Sequence, residues 1–328
     1  MTALPPAISV HIVTHNSAAA LPACLEALRR QEFDGYQVRV LDNASTDDTP
    51  ALLNRAGVEW IASRENTGYA AAHNTLIDQT RSEYVLTLNP DVFLQPGFLG
   101  AMKQALDAAP HVGSAAGCLL RVEQSGGDPI AIDSMGVRMR RTRQQILIGS
   151  DQPLSARRRD PVPIFGPDGA AAFYRRAMLD DIRAAEGDSR VDVFDAEFFM
   201  HKEDVDVCWR AQLRGWSSLY VPDAIAHHIR SFRPGRRERV SAEMRCLGVR
   251  NRYLLMLKND LPRLLMRDLL PILFYDAQIF AYVLLRERSS LAAYRSLWGL
   301  RSHMIAKRRW IQANRRASVD DMRKWFSA

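Results

Sequence analysis

The stretch 8-ISVHIVTHN-16 places an apolar, β-branched run directly before polar residues, and 36-YQVRVLDNASTDD-48 and 84-YVLTLNPD-91 have the same design. Runs of this length and composition are typical of buried strands. Residues 21–30 and 69–80, which lie between them, carry apolar side chains at helical spacing. Strands that alternate with helices in this way predict an α/β fold.

The polar residues that follow the three strands form the first candidate site. They are His15–Asn16, Asp42–Asn43 and Asn89–Asp91. Because ligands of open α/β sheets bind beyond the carboxyl ends of the strands, we expect these side chains to converge on one crevice. Asx residues at such positions also form turns, and the residues alone leave both interpretations open.

Two further candidate pairs lie nearer the middle of the chain. Glu203 and Asp204 stand where a helix is predicted to begin, within residues 194–216, and acidic side chains there complement the helix dipole. His227 and His228 follow a short predicted strand, where an unplaced histidine pair usually packs in the core or lies on the surface. The intervening residues 121–163 are rich in Gly, Pro, Arg and Asp. Their weak periodicity predicts an irregular insertion or a mobile flap.

Composition excludes several classes of protein. Of the 328 residues, 47% are hydrophobic and 25% are charged, a balance typical of globular proteins rather than disordered or fibrous ones. The four cysteines form no CxxC pair, which argues against a zinc knuckle or disulfide scaffold and favours a reducing compartment. We predict no secretory signal, because the amino-terminal residues lack a cationic start. The motifs GxGxxG, GxxxxGK and HExxH are absent, which weakens dehydrogenase, P-loop and zincin interpretations.

The positive charge is concentrated in the last hundred residues. Residues 229–328 hold 22 basic and 8 acidic side chains, so their net charge is +14, whereas residues 1–228 carry −7. A basic segment of this kind favours an anionic partner, either membrane lipid or nucleic acid. Its apolar stretch Leu269–Leu285 is interrupted and shorter than a spanning helix, but it is suited to lie in a membrane interface. The alternative is a solvated helical extension whose charges pair with the acidic body.

Seven strings of residues resemble one known family in their order and spacing. The sequence is similar to family 2 glycosyltransferases over roughly residues 8–260, and most similar to bacterial rhamnosyltransferases of surface polysaccharide synthesis. The strings are HIVTHN (11–16), VLDNASTDDT (40–49), ENTGYAAAHN (65–74), LNPDV (88–92), GPDGAAAFYRR (166–176), FDAEFFMHKEDVDVCWR (194–210) and YVPDAIAHH (220–228).

The resemblance implies a fold and an activity. It implies a GT-A domain over residues 1–240, with the basic helical extension at 241–328, and a divalent metal, Mg²⁺ or Mn²⁺. The reaction it implies is inverting transfer of a sugar from a dTDP- or UDP-sugar donor to a saccharide or lipid-linked saccharide acceptor. Within this class the expected sugar is L-rhamnose and the expected donor is dTDP-rhamnose. We therefore expect a cytoplasmic enzyme that lies peripherally at the inner face of the membrane, beside an anionic surface.

The resemblance also implies roles for individual residues. The donor-binding set is Thr14 and Asn16 at the edge of the nucleotide, Asp42 at the base, Asn66, Gly68 and Asn74 beside the donor, and Asn89 in the first position of the family's DxD metal motif. Asp91 takes the last position of that motif and is the implied metal ligand with His227, while His228 is the alternative one residue along. Asp204 is the implied general base, and Glu203 or Asp206 shapes its surroundings.

Two rival functions belong to other classes. A metal-dependent nucleotidyltransferase would use the same α/β nucleotide site, but would release pyrophosphate from a nucleoside triphosphate. A nucleic-acid module would use the basic tail and its interleaved Trp298, Trp310 and Trp325. No RNP, KH or zinc-finger pattern accompanies these tryptophans, so no nucleic-acid partner is expected.

Overall fold

The computed structural model of the chain describes residues 6–183, 192–230 and 241–327. Its strands are β1 (Ile8–Thr14), β2 (Tyr36–Asp42), β3 (Glu59–Ala62), β4 (Tyr84–Leu88), β5 (Val92–Leu94), β6 (Val112–Arg121), β7 (Ala131–Ser134), β8 (Val137–Arg140), β9 (Gln145–Leu147), β10 (Val162–Ile164), β11 (Ala171–Arg175), β12 (Ser217–His228) and β13 (Phe326–Ser327). Its α-helices are α1 (Leu21–Arg29), α2 (Thr49–Ala56), α3 (Gly68–Gln79), α4 (Phe98–Asp107), α5 (Arg176–Asp181), α6 (Glu203–Leu213), α7 (Ala242–Asn259), α8 (Pro262–Arg267), α9 (Leu269–Arg286), α10 (Ala292–Ala313) and α11 (Val319–Arg323).

Ten of the strands form one mixed sheet. The order along it is β10-β12-β6-β11-β4-β1-β2-β3, with β5 paired to β12 and β7 paired to β6. The strands β4, β1, β2 and β3 run parallel, and β11 joins them to the other half by antiparallel pairing with β4 and β6. Because the three predicted strands lie side by side and parallel, their carboxyl ends share one edge of the sheet.

The sheet forms because its central strands are apolar enough to be buried on both faces. Ile8, Val10 and Ile12 of β1 are fully buried, as are the neighbouring residues Leu86 and Leu88 of β4. Near-continuous apolar runs of this kind are typical of parallel sheets that are covered by helices. The α/β fold predicted from the sequence is confirmed.

The prediction that residues 121–163 form an irregular insertion or a mobile flap is wrong. The segment is ordered: β7 pairs with β6 in the main sheet, and β8 pairs with β9 and β13 in a second, three-stranded sheet. Asp133 and Met139, from this segment, are fully buried. Its strands have three or four residues each, too few for a period of two to stand out among the surrounding Gly and Arg residues.

The carboxy-terminal helices share a hydrophobic core with the α/β body. The shared cluster joins residues of α6, such as Trp209, to Leu254 of α7, Met304 of α10 and Phe326 of β13. The predicted boundary at residues 240 and 241 adjoins the segment 231–240, which lies outside the described residues. Within the described residues, helices α7–α11 therefore pack as part of one body with the sheet.

A buried ion network ties α7 to α6. The Lys258 ammonium lies 2.6 Å from Asp195 Oδ2 and 2.8 Å from Asp206 Oδ2. Lys307 of α10 donates to the other oxygen of Asp195, at 2.6 Å, and Arg210 donates to Asp206 at 2.8 Å. Asp206 thus has a structural role, in which its charge is neutralised by two cations.

We expect Lys258→Met to destabilise the whole chain. The substitution leaves two buried carboxylates with one cation fewer, which costs about 3 kcal/mol in the free energy of unfolding, the lower end of the range for a broken buried pair because Lys307 and Arg210 remain. Urea unfolding monitored by circular dichroism measures it. The control is Arg309→Met on the exposed face of α10, which should change stability by less than about 0.5 kcal/mol. Equal effects of the two substitutions would contradict the structural role of the network.

Candidate functional site

A cavity of about 890 Å³ opens at the carboxyl edge of the parallel strands. Its lining brings together the polar residues predicted to converge after β1, β2 and β4, except Asp42, and adds residues from the loop before α6 and the first turn of α7. The lining residues include Asn16, Asn43, Asn66, Tyr69, Asn89, Asp91, Phe199, Met200, Glu243 and Met244. The convergence expected from the sequence is confirmed.

Three residues predicted to contact the nucleotide form hydrogen bonds with other groups of the protein instead. Thr14 Oγ1 donates to Asp42 Oδ1 at 2.9 Å, and both residues are buried. Asp42 also accepts from the backbone and hydroxyl of Ser45. Asn74 exchanges two hydrogen bonds with the backbone of Phe194. Thr14, Asp42 and Asn74 therefore shape the strand ends and α3 from behind the cavity.

The residues that do face the cavity at this end are amides. Asn43 donates to Asn66 Oδ1 at 2.9 Å and accepts from the Thr67 backbone at 3.0 Å. Asn16 accepts from the Thr46 backbone at 2.8 Å, in a left-handed conformation with φ of 53°. These amides hold the strand-end loops together. Asn43 lines the cavity, although the sequence analysis names it only among the polar residues that follow the strands and gives it no role in donor binding.

Gly68 is needed because the chain passes very close to Phe199. Its φ is +82°, and a Cβ atom there would lie 2.6 Å from the Phe199 carbonyl oxygen. Glycine alone tolerates both the left-handed backbone and the contact. Gly68 thus fixes the start of α3 against the loop that lines the cavity.

Asp91 and His228 form one corner of the site. His228 Nε2 lies 3.5 Å from Asp91 Oδ1, and His228 is only 3% exposed. Asp91 Oδ1 is buried and makes no hydrogen bond within the described part of the chain. His227 is the preceding residue of β12, and adjacent strand residues point to opposite faces of a sheet. The assignment of His227 as the metal ligand therefore does not fit this geometry, and the one-residue alternative does.

The pair fits a divalent cation that is only partly held by protein. A carboxylate oxygen and an imidazole nitrogen suit Mg²⁺ or Mn²⁺, and Mg²⁺ is usually held by one or two carboxylates together with substrate phosphates. Within residues 6–183, 192–230 and 241–327, no group of three or more His, Cys, Asp or Glu side chains could hold a metal ion. The remaining ligands would therefore come from the bound substrate.

A chain of ion pairs connects this corner to the loop that contains Asp168. His228 Nδ1 donates to Asp133 Oδ2 at 2.8 Å, and Arg230 Nε donates to Asp133 Oδ1 at 2.7 Å. Arg230 Nη2 then reaches Asp168 Oδ2 at 2.5 Å. Burial opposes ionisation of Asp133, but the bonds from His228 and Arg230 outweigh it and hold the pKa of that carboxyl well below its ordinary value.

Asp133 fixes how the imidazole of His228 is presented. Because Nδ1 is engaged by the carboxylate, Nε2 is the nitrogen that faces Asp91, as in metal-binding histidines oriented by a second carboxylate. Burial lowers the pKa of His228, but its hydrogen bond to Asp133 and the nearby negative charge of Asp91 dominate and raise that pKa to about 9. Asp133, Asp168 and Arg230 are residues that the sequence did not single out, because their pairing joins three separate segments.

Asp204 lies on the other side of the chain of ion pairs. Its Oδ2 accepts from the Gly169 backbone at 3.0 Å, next to Asp168, and its Oδ1 accepts from the Val205 backbone at 2.8 Å. Tyr69, a cavity residue, donates to the Gly169 carbonyl at 2.9 Å. Asp204 is 8% exposed and is separated from the cavity by this glycine loop.

Burial raises the pKa values of both acidic residues at the start of α6. Burial and, secondly, Asp168 raise the pKa of Asp204. Burial and the adjacent Asp204 raise the pKa of Glu203 well above its ordinary value, and Glu203 Oε2 is buried without a hydrogen bond among the described residues. Two neighbouring carboxyls with raised pKa values are a pattern that clusters at functional sites.

The loop between the cavity and Asp204 is strained. Phe199, His201 and Lys202 all have positive φ, of 64°, 68° and 73°. Non-glycine residues in this region each cost on the order of 1–3 kcal/mol, and such strain concentrates at active sites and ligand clamps. Asn251 of α7 supports the loop by donating to the carbonyls of Phe198, Met200 and His201. The strain places Met200 in the cavity and Glu203 at the first position of α6.

Comparison with known proteins gives a family. The model of Glycosyl transferase family 2 matches residues 9–183, more than half of the chain. An N-acetylglucosaminyl-diphospho-decaprenol L-rhamnosyltransferase of Mycobacterium tuberculosis (strain H37Rv) is 28% identical over 251 residues, which are 70% of this chain and 78% of that protein.

Solved structures agree in fold. TarS 1–349 of S. aureus superposes with a TM-score of 0.56 at 18% identity, over 94% of this chain and 82% of that one. A mannosyltransferase of Pyrobaculum calidifontis, solved with GDP-Man and Mn²⁺, gives 0.53 at 18% identity, over 94% and 88%. GalNAc-T7, solved with UDP, GalNAc and Mn²⁺, gives 0.56 at 14%, over 76% of this chain and 47% of that one.

These likenesses confirm the GT-A fold with a helical carboxy-terminal region. Together with the family match over residues 9–183, they show that this chain is a member of glycosyl transferase family 2.

Proposed function

We propose that the chain is a metal-dependent inverting glycosyltransferase that moves L-rhamnose from dTDP-rhamnose to a lipid-linked saccharide in cell-surface polysaccharide synthesis. The observation that carries the proposal is the chain of ion pairs that links His228, beside Asp91 of the cavity, to the loop at residues 168–169 whose backbone binds Asp204. The choice of sugar and acceptor draws on the M. tuberculosis relative, whose name specifies both.

The donor would lie across the carboxyl ends of the strands. The cavity of about 890 Å³ falls within the range of small-molecule sites, about 300–1,000 Å³. Asn16, Asn43 and Asn66 supply amide groups for the nucleotide, and Asn89 lines the path towards Asp91. Thr14, Asp42, Gly68 and Asn74 act by holding these loops in place.

Asp91 and His228 would hold the divalent cation, in place of the pairing of Asp91 with His227. When bound, a cation at this position neutralises the charge that develops on the leaving diphosphate. Asp133 is a positioning residue, because it keeps Nε2 of His228 directed at Asp91.

Asp204 would act as the general base. In the transfer, the acceptor oxygen forms a bond to the anomeric carbon, the bond from that carbon to the diphosphate oxygen breaks on the opposite face, and the acceptor proton passes to the Asp204 carboxylate. A raised pKa suits this task, since a base near the working pH accepts a proton more readily. Glu203 adjoins Asp204 in the first turn of α6, where burial and Asp204 raise its own pKa, and Asp206 serves the fold.

A ligand screen tests the donor assignment. Nucleoside diphosphates and nucleotide sugars, each with Mg²⁺, Mn²⁺ or chelator, should raise the melting temperature selectively, because ligands that bind only the native state stabilise it by mass action. We expect dTDP and dTDP-rhamnose with metal to give the largest shifts. Equal stabilisation by every nucleotide, or stabilisation that is unchanged in chelator, would contradict the donor and metal assignments.

We expect Asp168→Asn to change the pH dependence of transfer. Asp204 must be ionised to accept a proton, so activity falls as the pH drops through its raised pKa. Removing the negative charge of Asp168 lowers that pKa, and the acid limb of kcat/KM should move to lower pH. Asp160→Asn, an exposed residue nearby in sequence, is the control and should leave the limb in place. An unmoved limb in Asp168→Asn would argue against Asp204 as the titrating group.

A further inference from the structure

One face of α9 is apolar and exposed along its whole length. In the part of the chain that the structure describes, this helix alone is long and apolar enough to cross a membrane, and only 11% of it is buried. Its exposed side chains include Leu270 (80%), Phe274 (70%), Phe280 (48%) and Leu285 (73%). Apolar side chains at this spacing lie on one face of a helix, and apolar patches of this extent mark interaction sites.

The opposite face of α9 is fixed to the protein. Ile279 and Val283 pack in a cluster with Val249 of α7. Asp276 accepts from Arg252 of α7 at 2.9 Å, and both side chains are largely buried. A helix held to the body by an ion pair and a packed seam along its middle cannot leave it to span a bilayer without breaking both. The structure therefore favours a helix that lies along the surface, as the sequence predicted, although its length alone would suffice for a span.

Exposed arginines flank α9 in the sequence and continue along α10, and few acidic residues offset them. They are Arg263 before α9, Arg286 and Arg288 at its end, and Arg295, Arg301 and Arg309 on α10. An apolar face with a cationic border is the pattern of helices that lie in the interface of an anionic membrane. Each arginine near such a surface contributes attraction that a neutral surface does not supply.

Helix α7, to which α9 is fixed, borders the proposed active site. Glu243 and Met244, in the first turn of α7, line the cavity, and the neighbouring Arg245 pairs with Glu287 at the end of α9, at 3.4 Å. Cys246 and Tyr253 of α7 pack in the cluster that holds α9. The rim of the cavity and the apolar face are thus separated by a single helix.

We propose that α9 lies flat in the interfacial layer of an anionic bilayer, with Leu270, Phe274 and Leu285 inserted, and so holds the cavity rim at the height of lipid headgroups. The binding of the bilayer is independent of the reaction. That it serves to meet a lipid-linked acceptor rests on the proposed function.

Vesicle flotation tests the proposal on the full chain without donor or acceptor. The chain should float with vesicles of phosphatidylcholine and phosphatidylglycerol at low salt, and less with phosphatidylcholine alone. The triple variant Leu270→Glu, Phe274→Glu, Leu285→Glu should lose about 10²-fold or more in partitioning, because three buried apolar side chains are exchanged for charges. The control, Ala51→Glu, Thr75→Glu, Gln79→Glu on exposed positions of α2 and α3, adds the same charge and should float as the parent does.

Three outcomes would overturn the proposal. They are failure of the parent chain to float, equal flotation of the two triple variants, and retention in the vesicle fraction after an alkaline carbonate wash, which would indicate a spanning helix. A dimeric parent that does not float and becomes monomeric in the α9 variant would assign the face to a second copy of the chain. The melting temperatures of both triple variants show whether they are folded. The increase in melting temperature on adding nucleotide shows whether each variant still binds the donor, independently of membrane binding.

Discussion

Asp204→Asn is expected to lower kcat by roughly 10²–10⁴-fold while the affinity for the nucleotide-sugar donor stays nearly unchanged. The amide keeps the shape of the carboxylate and its single oxygen can accept from one of the two backbone N–H groups, of Gly169 and Val205, that the carboxylate binds, but it cannot take the acceptor proton. Single-turnover transfer with saturating donor measures the loss, and calorimetric titration of dTDP measures the affinity.

Glu203→Gln is the matched control for this substitution. It changes the adjacent buried carboxyl, which is not proposed to take the proton and whose own pKa is raised by burial and by Asp204. We expect a much smaller loss and an acid limb close to that of the parent. An Asp204→Asn enzyme within a few-fold of the parent, together with a large loss in Glu203→Gln, would move the base to Glu203.

His228→Ala and Asp91→Ala are each expected to abolish measurable transfer and to weaken Mn²⁺ binding by at least about 100-fold in the presence of dTDP, since loss of even an orienting partner of a ligand costs 10–100-fold. Each variant removes one of the two protein atoms that face each other across 3.5 Å. Electron paramagnetic resonance of Mn²⁺ titrated with protein and dTDP gives the affinity without relying on turnover.

His227→Ala is the internal control, because it removes the same side chain from the adjacent position of β12. We expect Mn²⁺ affinity and transfer close to those of the parent chain. If His227→Ala loses the metal and His228→Ala keeps it, the alternation along β12 has been misassigned and the original alignment of the motif was correct.

The sequence predicts the sheet edge well, for a physical reason. Strand runs such as 8–14 and 84–88 are long, apolar and bounded by polar residues, so both their existence and their carboxyl ends are visible in the pattern. Parallel packing then requires that the polar ends meet. The cavity follows from these two facts.

The one-residue choice between His227 and His228 could not be made in the same way. The family pattern aligns with His227 and leaves His228 as the alternative one residue along, and only the pairing of β12 with β5 and β6 decides which one points into the site. Strand register depends on tertiary contacts, and a slip of one residue exchanges the two faces.

The ion pairs that join Asp133, Arg230 and Asp168 could not be predicted from the sequence for a related reason. Its members are separated by 97 and 62 residues, and Asp133 comes from a short strand within a segment whose composition suggests a loop. Ion pairs that form only after a sheet has assembled leave no local signal. Similarly, nothing in the pattern shows that Thr14, Asp42 and Asn74 turn away from the cavity to satisfy protein groups.

The central claim is that this chain transfers a rhamnosyl group from a nucleotide diphosphate. The most direct measurement is mass spectrometry of the products after the purified chain is incubated with dTDP-rhamnose, Mg²⁺ and an N-acetylglucosaminyl-diphospho-prenol acceptor. We expect an acceptor heavier by one rhamnosyl unit with dTDP released in equal amount, and no product from Asp204→Asn. Pyrophosphate released from dTTP and rhamnose 1-phosphate, with no gain in acceptor mass from dTDP-rhamnose, would contradict it.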